Sequence, residues 1–395
     1  REQVVQYVRE KYGSSRVANI ITYGTIKAKS AIKDVGRVMG IPLSEVNAIS
    51  KLIPGDPKAT LYKSLAEVNE LKEFQKDPKI KKLFDIALKV EGLRRQTGVH
   101  AAGVVISKDE VTDYVPLATG NNKGVVTTQY DGPMLGTLGM LKVDFLGLRT
   151  LNIIEMACEF IRAGGRKDFD IYQVPLDDKP TFDLLCEGRT TGVFQLESEG
   201  MKKLVKGLKP TQFSDIAALV ALYRPGPIEA GMLEMFVDRK HGRKKIVYDH
   251  PVLEPILKDT YGTMVYQEQV MEIAKKLANF TPGEADGFRK AMSKKKLDVM
   301  EQMRIKFVDQ SKKFNDVAPK LSSKIFDQMV QFAGYGFNKS HSVAYALVAY
   351  HTAWLKANHP VEYMAALLSS EIGKSPIGSE DKENKLVTYI GEAQE

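Results

Sequence analysis

Apolar residues along this chain follow two periods, and the places where the period switches outline its organisation. Val4, Val5 and Val8 recur at helical spacing in residues 1–12, and Gly13 ends that pattern. Residues 17–23 then form a short apolar run closed by Gly24, which predicts a strand. Residues 25–100 turn mostly helical and are broken by the turn Pro54-Gly55-Asp56-Pro57. Strand signals return over Ala101–Ser107, Val125–Tyr130 and Leu141–Leu146. From Thr150 onward helical periodicity dominates, punctuated by Tyr223-Arg224-Pro225-Gly226-Pro227. Gly373 to Glu383 is polar and low in aromatics, and reads as a loop or connector. The expected class is α+β and predominantly helical, with sheet strands flanking a helical insertion.

The stretch Leu141–Leu146 carries the most chemistry. Its alternation turns Leu141, Val143 and Phe145 one way, toward a buried face, and Lys142 and Asp144 the other. A carboxylate and an ammonium thus share a face two residues apart, between Gly139 and Gly147. An acid presented from a strand in this way suits a metal ion held against a phosphate. The plainer reading is an exposed ion pair on a half-buried strand.

Composition narrows the field. The 395 residues suffice for two to four domains, and 43% hydrophobic with 27% charged residues is ordinary for a globular protein. Lysine and arginine total 57 against 49 acids, a net charge of +8 that suggests a polyanionic partner. Cys158 and Cys186 lie far apart and lack neighbouring ligands, which disfavours a zinc knuckle and suggests a reducing compartment such as the cytoplasm. No run of about eighteen apolar residues exists, so no membrane span is expected. The chain opens at Arg1 inside an amphipathic pattern, and is expected to be part of something larger.

Two helix starts look suited to phosphate. Thr281-Pro282-Gly283-Glu284 predicts an N-cap, a proline at the first helical position and a capping box. The helix it opens carries Arg289, Lys290, Lys294, Lys295 and Lys296, whose mutual repulsion a polyanion would offset. Residues 336–342 begin a second helix that Pro360 should end. Asn338, Ser340 and Ser342 offer caps there, beside the donors Lys339 and His341. Free N–H groups and the positive dipole end favour an anion such as a triphosphate. The plainer readings are a solvated helix face and a capped helix with a surface lysine.

LKVDFLGLRTL around Asp144, TGVHAAGVVIS at residues 97–107, TGVFQLES at 191–198 and ALYRPGP at 221–227 occur in the same order as in a known family. So do MVYQEQVM at 264–271, FRKAMSKKK at 288–296 and GYGFNKSHSVAYALVAY at 334–350. Together they resemble the C family of DNA polymerases, the alpha subunits of bacterial DNA polymerase III. The likeness covers essentially the whole chain. It implies a palm similar to the polymerase-beta type over residues 1–24 and 101–150, a thumb over 25–100 and much of the fingers over 151–395.

The resemblance also implies roles. Asp144 matches the third of three palm aspartates that hold two Mg2+ ions, and Lys142 on the same face would offset developing phosphate charge. Arg289, Lys290, Lys339 and His341 would hold an incoming dNTP, with Arg224 and Gln195 as supports in the fingers. Lys27, Lys29, Lys33 and Arg37 would grip primer–template DNA through its phosphates. The family's other two aspartates form an Asp-x-Asp pair upstream of the segment that Arg1 begins, and no such pair occurs at the start of this chain. The expectation is therefore a fragment of a longer bacterial cytoplasmic polymerase, inactive by itself. Its contacts with replisome subunits such as the sliding clamp would lie in segments absent here. The rival is a non-catalytic polymerase relic that binds primer–template without chemistry.

Overall fold

A computed structural model describes residues 1–56, 59–119, 125–293, 297–333, 335–373 and 385–394, and the chain divides into two compact units, Arg1–Gly147 and Leu148–Glu395. The class is α+β and predominantly helical.

The first unit opens with α1 (Glu2–Tyr12), which buries Val5 and Val8 and stops at Gly13, where φ of 100° favours glycine. Five strands follow: β1 (Val17–Thr25), β2 (Arg94–Ile106), β3 (Leu117–Thr119), β4 (Val126–Thr128) and β5 (Leu141–Asp144). They form one sheet in the order β3-β4-β1-β2-β5, antiparallel except for β1 beside β4. Val17 and Val104 pack on one face with Val5 and Val8 of α1; Ala18, Ile20 and Val105 pack on the other with Val111, Val115 and Leu135.

A helical insertion separates the two central strands: α2 (Ala28–Val38), α3 (Leu43–Leu52), α4 (Leu61–Glu67), α5 (Asn69–Phe74) and α6 (Pro78–Val90). It has its own core, in which Ile32, Ile49, Leu61, Leu71 and Leu83 are fully buried. Each such side chain contributes about 1.5–3 kcal/mol. Gly36 sets the approach of α2 to α3, because a Cβ there would lie 2.5 Å from Val46 Cγ2. The short α7 (Gly132–Thr137) precedes β5 and is capped by Asp131, which accepts the Met134 N–H at 3.3 Å.

Three details depart from the sequence expectation. β2 begins at Arg94 rather than Ala101, and β3 was not anticipated at all. Residues 94–98 are all exposed, so no apolar alternation marks them as strand. Leu141 is 62% exposed and Val143 only half-buried, contrary to the buried face expected for them. β5 is an outer strand, and α1 covers Val17 and Val104 rather than Leu141. The turn at Pro54 runs into residues 57–58, and the connector expected at 373–383 falls almost wholly within 374–384; both segments lie outside the described residues.

The described residues of the second unit form helices joined by loops, with one isolated bridge between Tyr266 and Phe337. Its helices are α8 (Arg149–Ala163), α9 (Lys179–Glu187), α10 (Glu199–Leu208), α11 (Phe213–Leu222), α12 (Pro225–Glu229), α13 (Met232–Lys240) and α14 (Glu254–Leu257). There follow α15 (Gln267–Ala278), α16 (Pro282–Ser293), α17 (Leu297–Asn315), α18 (Pro319–Ala333), α19 (Lys339–Asn358), α20 (Pro360–Glu371) and α21 (Lys385–Gln394). One core gathers around α19, whose Ala349, Tyr350, Ala353 and Leu355 are buried against α9, α11 and α20. A second core joins α15 to α18 through Phe280, Phe288, Phe307 and Phe326, with ring centroids 5.2–6.3 Å apart. Pro360 does not merely end α19; as the first residue of α20 it begins the next helix.

Candidate active site

In the first unit, β5 sets Lys142 opposite Val105 and Asp144 opposite Gly103, on one face of an outer strand. Lys142 Nζ lies 3.6 Å from Asp144 Oδ1, so the expected ion pair forms, with Asp144 56% exposed. A pair this exposed contributes roughly 1 kcal/mol or less, so the carboxylate is positioned mainly by its strand. Glycine at 103 makes room for the lysine stem. A Cβ there would lie 3.2 Å from Lys142 Cε and 2.9 Å from His100 Nδ1.

The neighbouring strand is irregular at this point. Asn19 pairs with Val104 and Ile21 with Val99, so Ile20 alone faces residues 100–103. His100 closes this bulge: Nδ1 accepts the N–H of Ala102 at 3.2 Å and of Gly103 at 2.7 Å. Two backbone N–H groups thus converge on one ring nitrogen. The Phe145 N–H donates to the Ala102 carbonyl at 2.9 Å, tying the bulge to the strand that carries Asp144. Sequence reading passed over His100. Its signal was a histidine followed by Ala101, Ala102 and Gly103 inside a strand, where small residues permit a tight detour.

The cations of the insertion share a surface. Lys29, Lys33 and Arg37 recur every four residues on α2 and are exposed, Lys27 is the residue before the helix, and the opposite face buries Ala28, Ala31, Ile32 and Val35. Arg37 pairs with Asp34 at 3.4 Å.

In the second unit, five of the segments singled out in the sequence meet at the start of α19. Asn338 caps it, accepting the His341 N–H at 2.8 Å. The carboxylate of Glu268 accepts the Lys339 N–H at 2.8 Å and Asn338 Nδ2–H at 2.9 Å, so an acid already lies at the positive end of the helix. Gln267 N–H donates to the Phe337 carbonyl at 2.9 Å, and Arg289 Nη1 reaches Gln267 Oε1 at 3.4 Å. Arg224 donates to the carbonyls of Ala221 at 2.7 Å and Tyr335 at 2.6 Å, and its guanidinium lies 4.5 Å from the centre of the Phe337 ring. Burial lowers its pKa. Rings continue the line: Phe337 to His341 at 5.5 Å, His341 to Tyr345 at 4.2 Å, and Tyr345 to Phe194 at 5.6 Å. Lys339 and His341 are exposed, with Lys339 Nζ 5.7 Å from the centre of the Tyr266 ring.

Gln195 is exposed and adopts φ of 59°, uncommon outside glycine. The loop around it is fixed from beneath. Thr190 Oγ1 donates to the Leu196 carbonyl at 2.6 Å, Tyr363 OH to Gly192 at 2.8 Å, and the buried Lys356 to Arg189 at 2.9 Å and Thr191 at 2.8 Å. On α16 the capping box forms, with Thr281 N–H to Glu284 at 2.9 Å and Glu284 N–H to Thr281 at 3.3 Å. Lys306 also pairs with Glu284 and helps hold its pKa down at about 2. Arg289 and Lys290 both pair with Asp286, at 2.8 and 2.7 Å, so an acid one turn earlier relieves their repulsion. Lys294, Lys295 and Lys296 lie outside the described residues.

Comparison with known proteins agrees with this division. Residues 1–147 match the family described as the bacterial DNA polymerase III alpha NTPase domain, and residues 150–315 match the bacterial DNA polymerase III alpha subunit finger domain. The DNA polymerase III subunit alpha of Buchnera aphidicola subsp. Acyrthosiphon pisum is 48% identical over 403 residues, covering all of this chain and 34% of that protein. Its counterpart in Escherichia coli strain K12 is 48% identical over 382 residues, covering 94% of this chain and 33% of that protein. That of Aquifex aeolicus is 44% identical over 418 residues, covering all of this chain and 35% of that protein. The chain belongs to the family of bacterial DNA polymerase III alpha subunits. It spans about a third of the length of these relatives.

Within this DNA polymerase III alpha chain, Asp144 is a hard oxygen donor suited to Mg2+. Among the described residues no group of three or more His, Cys, Asp and Glu side chains could hold a metal ion, so these residues fit one ligand position rather than a complete site. Cys158 and Cys186 are free thiols, and burial pushes Cys158 up to about 11, which makes it unreactive. No described helix is long and apolar enough to cross a membrane. Sequence reading also missed Glu268 and Asp286, because an acid among polar helix residues announces nothing about the partner it meets.

Proposed function

We propose that this chain serves template-directed DNA synthesis in bacterial chromosome replication, the transfer of a deoxynucleotidyl group from a dNTP to a primer 3′-OH with Mg2+. On this reading residues 1–24 and 101–150 are palm, 25–100 thumb and 151–395 fingers. The observation that carries it is the meeting of five separate segments at the start of α19, beside the exposed Lys339 and His341.

Lys339, Arg289 and Lys290 hold the triphosphate as charged donors, and His341 lies beside them. Arg224 and Gln195 support that surface, Arg224 by fixing the turn that leads into α19. Asp144 provides one oxygen ligand of Mg2+, with the other acids proposed to come from elsewhere in the protein. Mg2+ held there would supply positive charge that offsets the charge developing on the transferring phosphate. Lys142 offsets phosphate charge beside Asp144. Lys27, Lys29, Lys33 and Arg37 grip primer–template DNA by its phosphates, leaving sequence to be read by base pairing. The setting is the bacterial cytoplasm, with replisome subunits such as the sliding clamp as partners of the whole protein.

The test is nucleotide kinetics in the full-length protein. Lys339→Ala should raise KM for all four dNTPs alike, by about 10-fold or more for the removal of a charged donor. A rise that depends on the base would assign Lys339 to base recognition and overturn its place here.

A further inference from the structure

Residues 189–197 lie between α9 and α10, and helices far along the chain fix them. Lys356 on α19 donates to the carbonyls of Arg189 and Thr191, and Thr352 Oγ1 on the same helix accepts the Phe194 N–H at 3.1 Å. Tyr363 on α20 donates to the Gly192 carbonyl. α21 adds the rest. Its Glu392 lies 2.5 Å from Lys356 Nζ, and its Lys385 and Tyr389 reach the Glu197 carboxylate at 2.7 and 3.2 Å.

Lys356 is the centre of this arrangement. Its side chain is 5% exposed and that of Glu392 16%. An ammonium has three donors, and here two go to loop carbonyls and one to a carboxylate. Burial lowers the Lys356 pKa, and Glu392 opposes that effect. Without Glu392 the ammonium would be a buried charge lacking its counter-charge, which costs far more than a missing hydrogen bond. The pair therefore forms as a unit, and forming it seats α21 against the loop. Between the two fastened ends stands Gln195, whose φ of 59° is one that a residue with a Cβ keeps only where its surroundings impose it. The adjacent Phe194 ring meets Tyr345 at 5.6 Å, on the helix that begins with Lys339 and His341.

We propose that Lys356 and Glu392 are positioning residues for the nucleotide site. Acting through residues 189–197, they hold Gln195 where it supports the surface for the triphosphate, and α21 locks that arrangement. The inference rests on the reading that Gln195 belongs to that surface.

The experiment is single-nucleotide incorporation by the full-length protein, with KM and kcat for each dNTP, beside thermal unfolding. Gln195→Ala should raise dNTP KM about 3–10-fold, the loss of one neutral hydrogen bond. Glu392→Gln should raise KM for all four dNTPs to a similar extent and change kcat by less than about two-fold. In the Gln195→Ala background it should add little, because both act through one side chain. Lys356→Met with Glu392→Leu exchanges the buried pair for apolar groups. It should recover much of the unfolding temperature that Lys356→Met alone loses, and KM should stay raised because the Arg189 and Thr191 carbonyls have lost their donor. Wild-type KM in Glu392→Gln and in the apolar pair, beside a raised KM in Gln195→Ala, would overturn the positioning role and leave the reading of Gln195 standing. A Glu392→Gln effect that simply adds to Gln195→Ala would overturn it as well. Wild-type KM in Gln195→Ala would overturn the reading of Gln195 and the proposal with it.

Discussion

Arg224 separates a brace from a ligand, and replacing it by alanine shows which it is. The side chain donates to Ala221 and Tyr335 and lies against the Phe337 ring, immediately before the Asn338 cap. A hydrogen bond from a charged donor contributes about 1.5–3 kcal/mol and a guanidinium over a ring about 0.5–1 kcal/mol at a partly exposed site. The bond to Ala221 is local and water readily replaces it, so Arg224→Ala should cost about 2–4 kcal/mol, mostly through Tyr335 and Phe337. The assay pairs denaturant unfolding with hydrogen exchange at residues 335–338. Both should show loss, and dNTP KM should rise alike for all four bases as the turn loosens. Lysine should not rescue, because an ammonium cannot reach both carbonyls and cover the ring. A double cycle with Phe337→Leu should return a coupling of about 0.5–1 kcal/mol. Unchanged stability and exchange with a large rise in KM would refute this reasoning and make Arg224 a direct phosphate ligand.

Two further outcomes follow from the geometry. His100→Ala leaves the buried N–H groups of Ala102 and Gly103 without their acceptor, at about 1–3 kcal/mol each. It should lower kcat with little change in duplex affinity, while His100→Asn, which keeps a short acceptor, should retain more activity; wild-type kcat in the alanine variant would contradict the bulge's role. Glu284 titrates at about 2 in the folded chain against an ordinary 4.5. Its stabilisation is thus complete above about pH 4.5 and drains away as pH falls toward 2. Protection of the amides at the start of α16, corrected for the intrinsic pH dependence of exchange, should fall as pH drops across that window and should not change across it in Glu284→Gln.

Local rules carried well from sequence to structure where one residue determines the outcome. Thr281, Pro282 and Glu284 form the expected capping box, and Asn338 caps α19 as its side chain suggests. Alternation placed Lys142 and Asp144 on one face, but the burial of Leu141 was misjudged, because whether a strand is central or outer depends on its neighbours. The first half of β2 was invisible because an exposed ribbon has no apolar face to write a pattern. The partnerships of Glu268, Asp286 and Arg224 are long-range or conditional on helix phase. Composition and spacing do not encode them, although the resemblance pointed to the segments that meet.

The most direct test is Asp144→Asn in the full-length protein, with primer extension and duplex binding measured side by side. The substitution removes one charge while keeping the shape of an outer-strand side chain whose backbone pairs with Gly103. Extension should be abolished and duplex affinity retained within a few-fold. Extension at the wild-type rate would contradict the placement of nucleotidyl transfer at this carboxylate.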